Sequence, residues 1–234
     1  MSKGKKGLSE IVFILDESGS MFSEVSDTIG GFNQFIQTQR EMPGEAKFTL
    51  VKFNASYRGF TMSTEIKDQG YEVVHNGVDL ADVKDLNDKT YTPGGGTALL
   101  DAVGTAISLV KKRIKDTKKS ERPENVIFAI LTDGEENSSR EYNGESINKL
   151  ITAQEKKNWK FMFLGADINA WDEASKYGLG SMSASVDKHD MGSTFSKMSY
   201  YTAQTRGSLK TASVADTFNL SDAEVEKGLN DLKK

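Results

Sequence analysis

Two short runs of uninterrupted apolar residues, each followed within two residues by an aspartate, constrain this chain more than any other feature. Ile11-Val12-Phe13-Ile14-Leu15 runs into Asp16, and Val126-Ile127-Phe128-Ala129-Ile130-Leu131 runs into Thr132-Asp133-Gly134. Runs of this length, rich in β-branched residues and lacking polar alternation, suit strands covered on both faces, as in a parallel sheet.

Strand and helix patterns alternate through the rest of the chain. Val25, Ile29, Phe32, Phe35 and Ile36 recur at helical spacing and predict a helix from Glu24 to about Met42, stopped by Pro43-Gly44. Phe48 to Phe53 reads as a second strand. Tyr57 to Thr64 reads as a third, antiparallel at a sheet edge, because Arg58, Thr61 and Ser63 are too polar for a centre. A short helix is expected over Asp79 to Leu86. Leu99, Ala102, Val103, Ala106, Ile107, Val110 and Ile114 mark a long amphipathic helix, and Lys111, Lys112 and Arg113 complement its dipole. After the second apolar run the expected order is helix (145–157), strand (159–164), helix (170–177), strand (182–186) and helix (191–206). This alternation implies an α/β fold, doubly wound and Rossmann-like, with a mostly parallel central sheet, one antiparallel edge strand and helices on both faces. Residues 1–7 read as a flexible basic start, 8–206 as the domain and 207–234 as a C-terminal tail. The tail is poor in large apolar residues, so it is expected to add little burial beyond a small helix capped by Ser221.

Composition narrows the function classes. Lys+Arg 30 against Asp+Glu 34 leaves a net charge of -4, which favours neither nucleic acid nor an anionic membrane. The Lys111 to Lys119 cluster reads as a solvated helix end. Cysteine is absent, so neither disulfides nor thiolate chemistry operate. The apolar stretch from Leu8 to Leu15 is broken by Ser9 and Glu10, too short and polar for a signal-peptide core or a membrane span. A cytoplasmic protein is the expectation.

In open α/β sheets ligands bind outside the carboxyl ends of the strands, so the residues leaving the strands there carry the functional reading. The first strand delivers Asp16-Glu17-Ser18-Gly19-Ser20, the loop Thr92-Pro93-Gly94-Gly95-Gly96 delivers Thr97, and the later strand delivers Asp133. Two carboxylates and three hydroxyls thus converge from three distant segments. They are hard oxygen ligands, suited to Mg²⁺, Mn²⁺ or Ca²⁺. Each motif has a plainer reading by itself: a helix-capping loop for Asp16 to Ser20, an N-cap for Thr97, a β-turn for Asp133 before Gly134. A phosphate-cradling reading of Gly94 to Gly96 fails because no Gly-Lys-Ser/Thr follows. Convergence in one place favours the metal site. Glu17, Glu135 and Glu136 read as solvated charge around that face, and Asp101 as a dipole-complementing residue. His75 and His189 read as surface residues, and Trp171, Tyr200 and Tyr201 as packing.

Asp16-x-Ser18-x-Ser20, a Gly-Gly-Thr ending in Thr97, and a strand ending in Thr132-Asp133-Gly134 resemble the metal-ion-dependent adhesion site (MIDAS) of von Willebrand factor type A domains, over about Leu8 to Arg206. The chain looks like the stand-alone domains of bacteria and their phages, including those associated with tellurium resistance. The resemblance implies that Ser18, Ser20 and Thr97 bind the cation directly and that Asp16 and Asp133 act mostly through water. It also implies a protein–protein interaction module with no catalytic residues. Neutral hydroxyl ligands leave the cation electrophilic, and an open position takes a Glu or Asp from a partner protein. One alternative is a Mg²⁺-dependent hydrolase with Asp16 as nucleophile, although no second aspartate follows two residues on. The other is an assembly protein whose metal only rigidifies loops.

Overall fold

Side-chain alternation along the first apolar run decides the architecture. The computed structural model describes residues 4–55, 70–166, 168–207 and 212–234, apart from the side chain of Trp171. In it β1 (Lys5–Asp16) is buried from Leu8 to its end. It pairs in parallel with β2 (Glu45–Phe53) on one side and β4 (Pro123–Thr132) on the other. β5 (Lys160–Ala166) and β6 (Ser183–Val186) continue the parallel sheet, while β3 (Tyr71–Asp79) runs antiparallel to β2 at the opposite edge. The order is β3-β2-β1-β4-β5-β6.

Successive residues of a strand face opposite sides, and β1 feeds two cores. Ile11, Phe13 and Leu15 join Phe32, Phe35 and Ile36 of α1 (Val25–Glu41) and Phe195 and Met198 of α5 (Met191–Arg206). Val12 and Ile14 join Val103, Ile107 and Val110 of α2 (Leu99–Asp116) and Ile147 and Ile151 of α3 (Gly144–Glu155). The Phe13 ring meets Phe32 and Phe35 edge-on at 5.6 and 5.3 Å and stacks on Phe195 at 6.1 Å. α4 (Ala170–Ser175) joins the α2 side through Ala170 and Ala174. No helix among the described residues is long and apolar enough to cross a membrane.

Two local expectations meet a different structure, and a third lies where the structure is not described. The strand expected over Tyr57 to Thr64 lies outside the described residues, among which Tyr71–Asp79 provides the antiparallel edge. The helix expected over Asp79 to Leu86 is a single 3-10 turn, Leu80–Asp82. Its backbone groups are served by side chains of α1 instead. Asn33 brackets Leu86, donating to its carbonyl (3.0 Å) and accepting from its N–H (2.8 Å), and Arg40 donates to the carbonyls of Leu80 and Val83. These bonds satisfy the peptide groups that a helix would have paired.

The second difference is at the end of the chain. Residues beyond 207 bury more than their composition suggests. α6 (Val214–Phe218) places Val214 in the main core, and α7 (Asp222–Leu232) buries Val225 and Leu229 against Met42 and Ala203. The apolar residues are few, but Val225, Leu229 and Leu232 fall on one helical stripe. The expected cap is present: the Ser221 N–H donates to Glu224 Oε2 (2.9 Å), and the Glu224 N–H returns to Ser221 Oγ (3.4 Å). Val225→Ala is accordingly expected to lower unfolding stability by about 1–2 kcal/mol. Glu226→Ala, on the exposed side of the same turn, should stay within about 0.5 kcal/mol. Urea denaturation of the two variants checks this.

Candidate metal centre

In this strand order the winding reverses between β1 and β4, and the crevice outside their carboxyl ends is where such sheets bind ligands. Register brings the two aspartates there together. Leu15 pairs with Leu131, so Asp16 leaves the sheet beside Thr132-Asp133. Asp16 is fully buried. Its Oδ1 accepts the Ser18 N–H (2.7 Å) and its Oδ2 accepts the Thr132 hydroxyl (2.6 Å). The first bond folds the Asp-x-Ser-x-Ser loop back over the strand end, and the second ties β1 to β4.

The hydroxyls follow. Ser18 Oγ and Ser20 Oγ lie 3.0 Å apart, and Ser20 Oγ donates to Asp133 Oδ1 at 2.5 Å. A Cβ added to Gly134 would stand 3.1 Å from Thr97 Oγ1 and 3.6 Å from Ser20 Oγ. Glycine at 134 therefore keeps open a small space that both hydroxyls face. The structure brings together all five residues singled out in the sequence. Capping does not account for them. Ser18 precedes the 3-10 turn Gly19–Glu24 without a side-chain cap bond, and α2 begins after Ala98, also without one. The first amides of α2 are served by the loop after β4: Leu100 N–H donates to Glu136 and Asp101 N–H to Ser139 Oγ.

Residues read as surface charge turn out to hold the loops. Glu17 is buried, not solvated. Its Oε1 accepts from Lys52 Nζ (2.9 Å) and the Thr92 N–H (2.7 Å), and its Oε2 from Asn54 (3.2 Å). Its carbonyl accepts the Gly94 N–H, and the Gly19 N–H donates to Gly95 O. The glycine loop that carries Thr97 is thereby clamped to the serine loop, with Gly95 in the left-handed region (φ 68°) that favours glycine. Asp101 does more than complement a dipole: its carboxylate accepts the N–H groups of Arg140, Glu141 and Tyr142. Glu136 accepts those of Ser138 and Ser139. Together they shape the loop that follows Asp133. The hint of the Glu17 clamp in the sequence is Lys52, a charge between Val51 and Phe53, and it does not name its partner. His189 is exposed, with Nδ1 3.5 Å from the buried Glu24 carboxylate.

No group of three or more His, Cys, Asp or Glu side chains able to hold a metal occurs among the described residues. The donors gathered here are mostly hydroxyls, and with two carboxylates they form an all-oxygen set that fits a hard divalent cation. Burial pushes the Asp16 carboxyl up to about 6, against the bonds from Ser18 and Thr132 that lower it, with the neighbouring Asp133 carboxylate raising it further. A carboxyl whose folded value lies above its unfolded value stabilises the fold at low pH, and that contribution is lost as pH rises through the folded value. In chelator, then, stability contributed by Asp16 should be complete below about 3.8 and fall by about 3 kcal/mol once pH passes 6. Asp16→Asn should remove this fall, read as the difference between the two denaturation-versus-pH curves. Parallel curves would show that Asp16 is ionised at no cost.

The von Willebrand factor type A domain model matches residues 10–211 of this chain. Among solved structures, proximal thread matrix protein 1 (PTMP1) from the mussel byssus aligns over 86% of this chain and 47% of its own, with a TM-score of 0.56 at 14% identity. The same protein with a zinc-occupied MIDAS motif aligns over 85% and 46%, at 0.54 and 11%. A von Willebrand factor type A structure from Catenulispora acidiphila aligns over 87% and 43%, at 0.54 and 15%. This chain spans less than half the length of those structures, and at such identities the likeness is one of fold. No curated protein matches it in sequence. The family match, which runs from within β1 to beyond α5, establishes that the chain belongs to the von Willebrand factor type A domain family.

Proposed function

We propose that the domain binds one divalent cation, Mg²⁺ with Mn²⁺ and Ca²⁺ as competitors, and uses it to capture a Glu or Asp side chain of a partner protein. The observation that carries this reading is the meeting of Ser18, Ser20, Thr97, Asp16 and Asp133 at the β1/β4 switch point, with the serine hydroxyls 3.0 Å apart and Ser20 on Asp133. Ser18, Ser20 and Thr97 are the direct ligands in this reading, and Asp16 and Asp133 act through water. When bound, the cation supplies a Lewis-acidic position for an anionic oxygen. The chain's own contribution is to present neutral hydroxyls, which leave the cation's charge largely unspent. Thr132 and the Ser18 N–H meanwhile hold Asp16 in place behind them. The zinc-occupied MIDAS of the mussel protein supports a divalent occupant. The all-oxygen donor set favours a harder ion here.

A binding role is favoured over hydrolysis by the state of Asp16. It is fully buried, tied down by the Ser18 N–H and the Thr132 hydroxyl, whereas a nucleophile must be reached by its substrate. A cytoplasmic location is part of this reading, and a chain with no thiol to oxidise is compatible with it.

Asp133→Ala is expected to weaken Mg²⁺ and Mn²⁺ binding about tenfold or more in calorimetric titration, a loss of about 1.4 kcal/mol or more. Partner capture in a pull-down should disappear with it, while circular dichroism stays native. Thr97→Ala should act in the same direction but less, because water can replace one hydroxyl. Capture that survives both EDTA and Asp133→Ala would overturn the reading.

A further inference from the structure

Among the described residues one large hydrophobic side chain stands in solvent. It is Phe22, 73% exposed and two residues beyond Ser20. The local structure accounts for its position. Gly19–Glu24 is a 3-10 turn, in which residues three apart lie on one face. Met21 and Glu24 take the inward face, with Met21 at 1% exposure in the core. Gly19 and Phe22 take the outward face. The Met21 N–H is bonded to Ser18 O, which fixes the phase of the turn, and Met21 already fills the core position. Phe22 therefore has no inward place to retreat to.

Its surroundings add a second observation. Gly19 and Gly95 are both exposed and joined by the Gly19 N–H bond to Gly95 O. A Cβ at Gly19 would stand 3.3 Å from that oxygen. Ser20, the exposed member of the hydroxyl set, lies between Gly19 and Phe22 in the chain, while Ser18 and Thr97 are buried behind it.

Resting on the metal-dependent reading above, we propose that Phe22 is the apolar half of a two-point recognition surface. The partner it fits is a peptide segment whose Glu or Asp enters the hydroxyl site while a neighbouring Leu, Ile, Met or Phe packs on Phe22. The complementarity is chemical: a cation held mostly by neutral oxygens takes the carboxylate, and the solvent-exposed ring takes the apolar group. Interface hot spots combine such an apolar anchor with a desolvated polar contact. Geometry limits the spacing. Phe22 is displaced from Ser20 by roughly 4 Å along a 3-10 axis, and an extended peptide advances about 3.3 Å per residue. The apolar side chain therefore belongs within one to three residues of the acid.

The test uses the full chain with Mg²⁺ and capped heptapeptides of serine with a central Glu. Single Leu substitutions scan the flanking positions, and affinities are read from NMR shifts. Wild type is expected to bind at least one Leu-bearing peptide about tenfold tighter than the all-serine one, a difference of about 1.4 kcal/mol. F22A should erase that difference while keeping its Mg²⁺ affinity and its binding to the all-serine peptide. If F22A discriminates as wild type does, or if wild type shows no preference for Leu, Phe22 plays no part although the metal reading stands. If no acidic peptide binds, or binding persists in EDTA, the metal reading fails and this proposal with it. If wild type self-associates in sedimentation and F22A does not, the ring's occupant is a second copy of the chain, and the peptide proposal is overturned.

Discussion

The carboxylate of Asp16 is held out of water at the end of the central strand, and the site depends on that one placement. An ionised group removed from solvent is costly unless its oxygens are satisfied. Here one oxygen takes the Ser18 N–H and the other the Thr132 hydroxyl. The two bonds perform separate structural tasks: one turns the serine loop back over the strand end, and the other locks β1 to β4. Since Leu15 and Leu131 are already in register, Asp133 follows one residue after Thr132 and reaches Ser20. The direct observation is a chain of oxygen contacts across a switch point. A divalent cation is the species whose charge would repay the burial of Asp16.

Around that centre, buried charges set the loops. The Glu17–Lys52 pair lies under the glycine loop with both side chains at 5% exposure or less. Removing one partner of such a pair leaves an uncompensated buried charge, which is strongly destabilising. Asp101 and Glu136 gather five backbone N–H groups from the loop behind Asp133. These residues stand outside the proposed ligand set, but they determine where Thr97 and Asp133 sit. Rigid support of this kind is what a preformed site needs.

How much of this was legible in the sequence varies with the kind of signal. The buried strands could be read because Ile11 to Leu15 and Val126 to Leu131 leave no polar face to present to water. The candidate ligands could be read because strand ends in this fold class share one edge. The roles of Glu17, Asp101 and Glu136 could not, because a carboxylate's burial depends on partners distant in sequence, such as Lys52 for Glu17 and Arg140 to Tyr142 for Asp101. The extended path after Asp82 was hidden for a similar reason. Its peptide groups are satisfied by Asn33 and Arg40 of another helix. The last helices were undervalued because composition counts apolar residues without regard to spacing. Val225 and Leu229 are few but lie on one stripe, against Met42 and Ala203.

The proposed function stands on Ser18, Ser20, Thr97, Asp16 and Asp133 together making one divalent-cation site. Anomalous diffraction from crystals of the protein grown with Mn²⁺ tests it most directly. A single strong peak is expected among the Ser18, Ser20 and Thr97 hydroxyls, with Asp16 and Asp133 beyond it. A peak elsewhere in the molecule, or none at full Mn²⁺ saturation, would contradict it.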